Sequence, residues 1–254
     1  MANEILLEKR GDGITVLTLN RPQALNAIDR AMTRELRQAI RAVEDDPDTG
    51  VLVIAGAGGK AFCVGVDLKE RQAWSDQEAQ AFRIGELFPM YRELEETLKP
   101  SIAVVDGHCL GGGFEIALTC DMIVATPQSK FGLPEAKWGL IPAAGGSRKL
   151  PRLIGMARAK EMILTCQGIT ALQAENYGLI NRVAPPEEAM QQAFDLARKV
   201  MANVQVAVRA AKRSMDQSMD LQRTVAFDLE AANSCYAAGE RKEAIGKFSQ
   251  RKPA

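Results

Sequence analysis

The chain has 254 residues, 46% hydrophobic and 25% charged, with 32 basic side chains balanced by 32 acidic ones. That length allows one sizeable core, or a core with a small appendage, of ordinary soluble globular composition. Zero net charge and 5% aromatic content argue against a dedicated nucleic-acid binder, and no apolar run approaches the ~18 residues that suggest a membrane span.

The N-terminus, Met1 to Glu8, has no basic segment followed by an apolar one, so no signal peptide is expected and a cytoplasmic protein is. Ile14–Leu19 reads as a strand, rich in β-branched residues and ended by Asn20-Arg21-Pro22. Met32, Leu36, Ile40 and Val43 recur at helical spacing and predict an amphipathic helix over 30–44. Val51–Ile54 is a wholly apolar strand, suited to a sheet covered on both faces. Helical spacing returns over 75–98 and Pro100 stops it. Ile102–Val105 is another buried strand, followed by a helix over Gly111–Thr119 and a strand over Met122–Ala125. Strand, turn and helix alternate, which argues for an α/β fold. Thr170-x-x-Gln173 resembles a capping box, and Gly178 fits the position just past that helix. A short strand over Leu179–Val183 precedes Pro185-Pro186, which opens helices at roughly 186–202, 204–217 and 220–237. The division is a core over residues 1–200 and a C-terminal helical region over 201–254.

Five cysteines, Cys63, Cys109, Cys120, Cys166 and Cys235, are odd in number and form no C-x-x-C pair, which reads as reduced thiols. One histidine, His108, rules out a His-rich metal site within the chain. If its segment is extended, His108 and Cys109 point to opposite faces. Gly56-Ala57-Gly58-Gly59-Lys60-Ala61 formally fits a dinucleotide fingerprint. Gly65 then stands where the phosphate-binding helix should run, so a plain turn is the better reading.

Two glycine-framed glutamates carry the chemistry. Gly111-Gly112-Gly113-Phe114-Glu115 opens an apolar helix whose bare backbone N–H groups and dipole suit a developing negative charge. Phe131-Gly132-Leu133-Pro134-Glu135 leads into Gly139-Leu140-Ile141-Pro142-Ala143-Ala144-Gly145-Gly146. Glu115 in an apolar helix is either paired with a structural cation or functional, because a buried unpaired carboxylate is costly. Glu135 is held by a preceding proline, with an ion pair to Lys137 as the plain alternative. Ala61–Glu70 passes through Gly65 into a charged helix start, where the Val66 N–H could face a cleft; an ordinary strand-to-helix turn fits it too. Oriented N–H donors with two glutamates suit polarising a carbonyl and moving protons beside it.

These motifs, in this order, resemble the crotonase superfamily of enoyl-CoA hydratases and isomerases. The likeness includes Asn20-Arg21-Pro22 with Leu25-Asn26-Ala27, the Lys60–Glu70 turn, Gly111–Glu115, Asp121, Phe131–Glu135 with Gly139–Gly146, Glu243–Phe248, and Arg251-Lys252-Pro253. The resemblance implies a spiral of strand-strand-helix units with a C-terminal helical trimerisation region, assembled as a homotrimer or a hexamer of two trimers. It implies an acyl-CoA thioester whose oxygen accepts the N–H groups of Val66 and Gly112, with Val66, Asp67, Leu68 and Lys69 along the substrate. It places the family's two catalytic glutamates at Glu115, mainly on the water, and Glu135, mainly on the Cα proton. No metal or separate cofactor is implied. Val66, His108-Cys109 and Ala143 depart from the commonest pattern and bear on the acyl group. Ala61–Arg71 is similar to methylglutaconyl-CoA hydratases and Phe131–Lys137 to carnitinyl-CoA dehydratases. A 3,2-enoyl-CoA isomerase, working with Glu135 alone, is the alternative that Glu115 disfavours, and an RNA-binding member on this fold is the outside one.

Overall fold

The computed structural model describes residues 3–217 and residue 246. Among the described residues ten strands form two sheets. β1 (Ile5–Lys9) and β2 (Ile14–Leu19) pair antiparallel and α1 (Arg30–Asp45) follows, capped by the Asp29 carboxylate, which accepts from the Met32 N–H. From there a unit recurs. β3 (Val51–Gly56) and β4 (Ala61–Cys63) lead to α2 (Leu68–Gln72), α3 (Asp76–Phe82) and α4 (Phe88–Glu96). β5 (Ser101–Val105) and β6 (His108–Leu110) lead to α5 (Gly112–Thr119). β7 (Met122–Ala125) and β8 (Lys130–Gly132) lead to α6 (Gly146–Ile154) and α7 (Met156–Thr165).

The first strand of each unit joins one sheet and the second joins the other, so the chain winds as a spiral. One sheet runs β1-β2-β3-β5-β7-β10 and the other β4-β6-β8-β9, with β9 at Ile169–Thr170 and β10 at Arg182–Val183. Successive turns stack in parallel register: Ile54 opposite Ala103, Ala103 opposite Ile123, His108 between Ala61 and Lys130. The expected capping box is present at the start of α8 (Ala171–Asn176).

Every residue of β5, and all of β3 except Gly56, is buried or nearly so, because the larger sheet is covered on both faces. Leu52, Ile54, Ala103 and Val105 turn toward α1, α4 and α5. Val51, Val53, Ile102 and Val104 turn toward α9 (Pro186–Met201), whose Ala189, Ala193 and Ala197 let it lie close. The run expected to be one helix over 75–98 is three pieces. α3 passes into a π-helical turn at Arg83–Leu87, then α4 ends at Glu96. Pro89 explains the break, since it has no N–H for the Gly85 carbonyl four residues earlier. α10 (Gln205–Gln217) is tied to the core by Lys212, whose ammonium lies 2.6 Å from Asp121. The expected helix over 220–237 lies outside the described residues. No described helix is long and apolar enough to cross a membrane.

Candidate active site

The site lies where β4 and β6 deliver their following segments to one place. After β4 the chain turns at Gly65, at φ +92°, and a Cβ there would stand 2.9 Å from the Gly112 nitrogen. Glycine is required on both counts. Ile28 then forms a parallel bridge with Val66: the Ile28 N–H donates to the Gly65 carbonyl at 2.8 Å and the Asp67 N–H to the Ile28 carbonyl at 2.9 Å. That pairing engages the neighbours of Val66 and turns its own N–H to the opposite side.

After β6, Gly111 at φ +52° starts α5, and Gly112 holds the first helical position, where an N–H has no intrahelical partner. A Cβ on Gly113 would collide with the Cys63 carbonyl of β4, so the triplet lets the helix start touch the strand. The Tyr91 hydroxyl of α4 donates to the Gly112 carbonyl at 2.9 Å and fixes that peptide. Burial, then the carboxylates and thiol nearby, keeps the Tyr91 phenol well above its ordinary range, hence neutral.

Glu115 is buried on α5. Its Oε1 accepts the Gly146 N–H at 2.9 Å, at the start of α6, which gives the second glycine turn its purpose. Glu135 opens the short 3-10 turn Glu135–Trp138 after β8, and a Cβ on Gly111 would lie 3.2 Å from its Oε1. Its Oε2 is buried with no hydrogen-bond partner, and no ion pair to Lys137 is formed among the described residues. Burial pushes the Glu135 carboxyl up to about 7. Phe114, next to Glu115 on α5, packs on Phe131 of β8 with ring centroids 5.4 Å apart, which sets the spacing of α5 against β8.

Val66, Gly112, Glu115 and Glu135 therefore line one cavity of about 70 Å³. Leu87, Phe88, Leu140 and Ile141 give it apolar walls, and Arg71 and Arg83 add buried guanidinium groups. A second cavity adjoins it and shares Phe88, Tyr91, Ala143 and Ala144. Asp67, Leu68 and Lys69 do not line this inner cavity. Asp67 caps α2, its Oδ1 accepting from Lys69 and Glu70, and Lys69 is exposed. His108 is exposed and Cys109 buried, as an extended segment requires. Among the described residues no cluster of three or more His, Cys, Asp or Glu side chains could hold a metal. Tyr91, Arg71 and Arg83 escaped the sequence reading. Their only signal was polar tips on the buried stripe of a helix, which must find partners somewhere.

Residues 9–254 match the family model described as enoyl-CoA hydratase/isomerase. The chain belongs to the enoyl-CoA hydratase/isomerase family. It is 38% identical to a short-chain-enoyl-CoA hydratase of Clostridium acetobutylicum over 98% of this chain and 96% of that one. It is 36% identical to a crotonyl-CoA hydratase of Syntrophomonas wolfei over 100% and 98% of the two chains. Among solved structures, it is similar to an enoyl-CoA hydratase of Bacillus anthracis, with TM-score 0.81, 32% identity and coverage of 99% and 98%. A carnitinyl-CoA dehydratase of Mycobacterium avium gives TM-score 0.86 at 30% identity, covering 99% of both chains. The spiral is thus the fold of this family, and its members process coenzyme A thioesters.

Proposed function

We propose that this family member is an enoyl-CoA hydratase, a hydro-lyase that reversibly adds water to a short 2-enoyl-CoA thioester. The observation that carries the reading is the meeting of two carboxylates, Glu115 and Glu135, with a bare helix start in one cavity. The thioester oxygen accepts the Val66 and Gly112 N–H groups, and the charge that develops there is stabilised by oriented dipoles at a helix N-terminus. This drains electron density from Cβ. Glu115 takes a proton from water as its oxygen bonds to Cβ, and the former π pair passes to Cα, where Glu135 delivers its proton. Elimination retraces the path. A carboxyl held near 7 by burial is protonated often enough to serve as that acid. The chemistry asks for no metal or redox cofactor, coenzyme A being part of the substrate. A homotrimer or hexamer built through the C-terminal region, in the cytoplasm, completes the reading.

The test is a panel of enoyl-CoA thioesters of rising length and branching, followed through loss of the enoyl chromophore. Rapid hydration of crotonyl-CoA is expected. Double-bond migration in excess of hydration replaces the hydratase with an isomerase.

A further inference from the structure

Asn20-Arg21-Pro22 and Leu25-Asn26-Ala27 do not line the cavity, yet the structure spends unusual resources on them. Leu25 and Asn26 both stand at positive φ, 53° and 57°, where side chains are disfavoured. Asn26 is fully buried. Its Oδ1 accepts the Arg21 N–H at 2.9 Å, and its Nδ2 donates to the carbonyls of Ala57 and Ala61 at 3.0 and 2.8 Å. The loop is thereby stapled to the turn between β3 and β4, and the Arg21 side chain is directed inward.

The Arg21 guanidinium meets three carboxylates: Glu4 at 3.4 Å, Asp29 at 3.1 Å and Asp67 at 3.2 Å. Its Nη1 also donates to the Ala27 carbonyl at 2.5 Å. Ala27 precedes Ile28, and Asp67 follows Val66. One nitrogen therefore grips both segments of the Ile28–Val66 bridge. Asp67 divides its carboxylate, Oδ1 to the start of α2 and Oδ2 to Arg21. A second tie has the Glu70 carboxylate accepting the Arg30 N–H at 3.1 Å. The guanidinium, Asp29 and Asp67 are each only 14% exposed, so solvent screens the grip weakly.

We propose that Arg21 is a positioning residue for the reaction: by clamping Ala27 to Asp67 it sets the direction of the Val66 N–H toward the thioester oxygen. The inference rests on the reading of Val66 and Gly112 as the donors to that oxygen. A planar guanidinium can bridge a carbonyl and carboxylates at fixed angles, whereas an ammonium reaches them only as a point charge.

Butyryl-CoA labelled with carbon-13 at the thioester carbonyl has no double bond to hydrate, so it reports polarisation of the bound carbonyl by infrared difference spectroscopy. Wild-type protein should lower the carbonyl stretch on binding. Arg21→Gln and Arg21→Lys should lose most of that lowering. Turnover of crotonyl-CoA should fall about 10- to 100-fold, as expected for a misaimed donor, with KM within about threefold. Asp67→Asn keeps the helix cap, because Asn caps as well as Asp, and should shift the spectrum the same way by less. It decides the matter if the Arg21 variants do not fold. If the wild-type carbonyl is shifted and the folded variants shift it equally, the role of Arg21 is refuted while the two donors stand. If the wild-type carbonyl is not shifted at all, the donor reading itself fails, and the Arg21 proposal with it.

Discussion

Glu135 carries its own test in its titration. Its carboxyl is raised from 4.5 to about 7 chiefly by burial, so the folded protein holds a proton there that the unfolded chain has released. Between those two values the folded state binds more protons than the unfolded one, and stability falls as pH rises through the window. Glu4, raised to about 7 by burial and by the neighbouring Asp29 carboxylate, adds a loss of the same sign. Glu135→Gln should therefore stabilise the protein at pH 8, by an amount on the order of 3 kcal/mol or less, and leave it nearly unchanged at pH 4; thermal melts at the two pH values measure the difference. In the proposed mechanism catalysis follows the same proton. Hydration there needs the glutamate pair to hold one proton, and so does dehydration, with that proton on the other partner. Because the net reaction releases no proton, kcat/KM in both directions should share one profile, declining as pH rises through about 7. A kcat/KM that stays flat or rises as pH passes through 7 would contradict an acid role for Glu135.

The active-site elements are joined by contacts too close for a side chain. Gly113 stands against the Cys63 carbonyl, so Gly113→Ala adds a Cβ where backbone already lies. Alanine favours a helix by ~1 kcal/mol over glycine, but overpacking against an immovable strand costs about 1–3 kcal/mol. The clash should win, with lower stability in denaturant and lower turnover as α5 withdraws from β4; an unchanged midpoint and rate would mean the helix start tolerates displacement. This dependence on backbone approach also explains what the sequence made legible. Val51–Gly56 and Ser101–Val105 announce themselves as apolar runs because both faces of their sheet are covered. Lys130–Gly132 and Ile169–Thr170 are too short to show a period, and Ile5–Lys9 buries only Ile5, so no alternation marks these strands. Glu115, Glu135 and Gly112 were readable because glycines frame them. Tyr91 was not, since its task is a hydrogen bond to a carbonyl 21 residues away.

The spiral has no counterpart in a repeated sequence, because parallel strand stacking needs equal backbone lengths and not equal side chains. Its last turns leave Leu164 73% exposed and Leu172 64% exposed, with Leu153 and Met156 also open on α6 and α7. Burying exposed apolar side chains of this size against another copy would favour assembly. Sedimentation should give a trimer or hexamer at micromolar concentration, and a stable monomer would count against that assembly. The interior also hides most thiols: Cys63, Cys109 and Cys120 are buried, and burial pushes the thiols of Cys63 and Cys120 up to about 12. In the native protein these three should resist a thiol reagent while half-buried Cys166 reacts; denaturation without reductant should expose all five thiols, counting Cys235, which lies outside the described residues. Fewer than five would show a disulfide.

The central claim is that two carboxylates act as one unit beside a polarised thioester. It is tested most directly by crotonyl-CoA hydration in Glu115→Gln, Glu135→Gln and the double variant, with butyryl-CoA affinity measured alongside. Each single change should cut turnover by ~10²–10⁴-fold, the double should cost little more than the worse single, and affinity should persist because the Val66 and Gly112 donors remain. Undiminished hydration by Glu115→Gln would contradict the two-carboxylate mechanism.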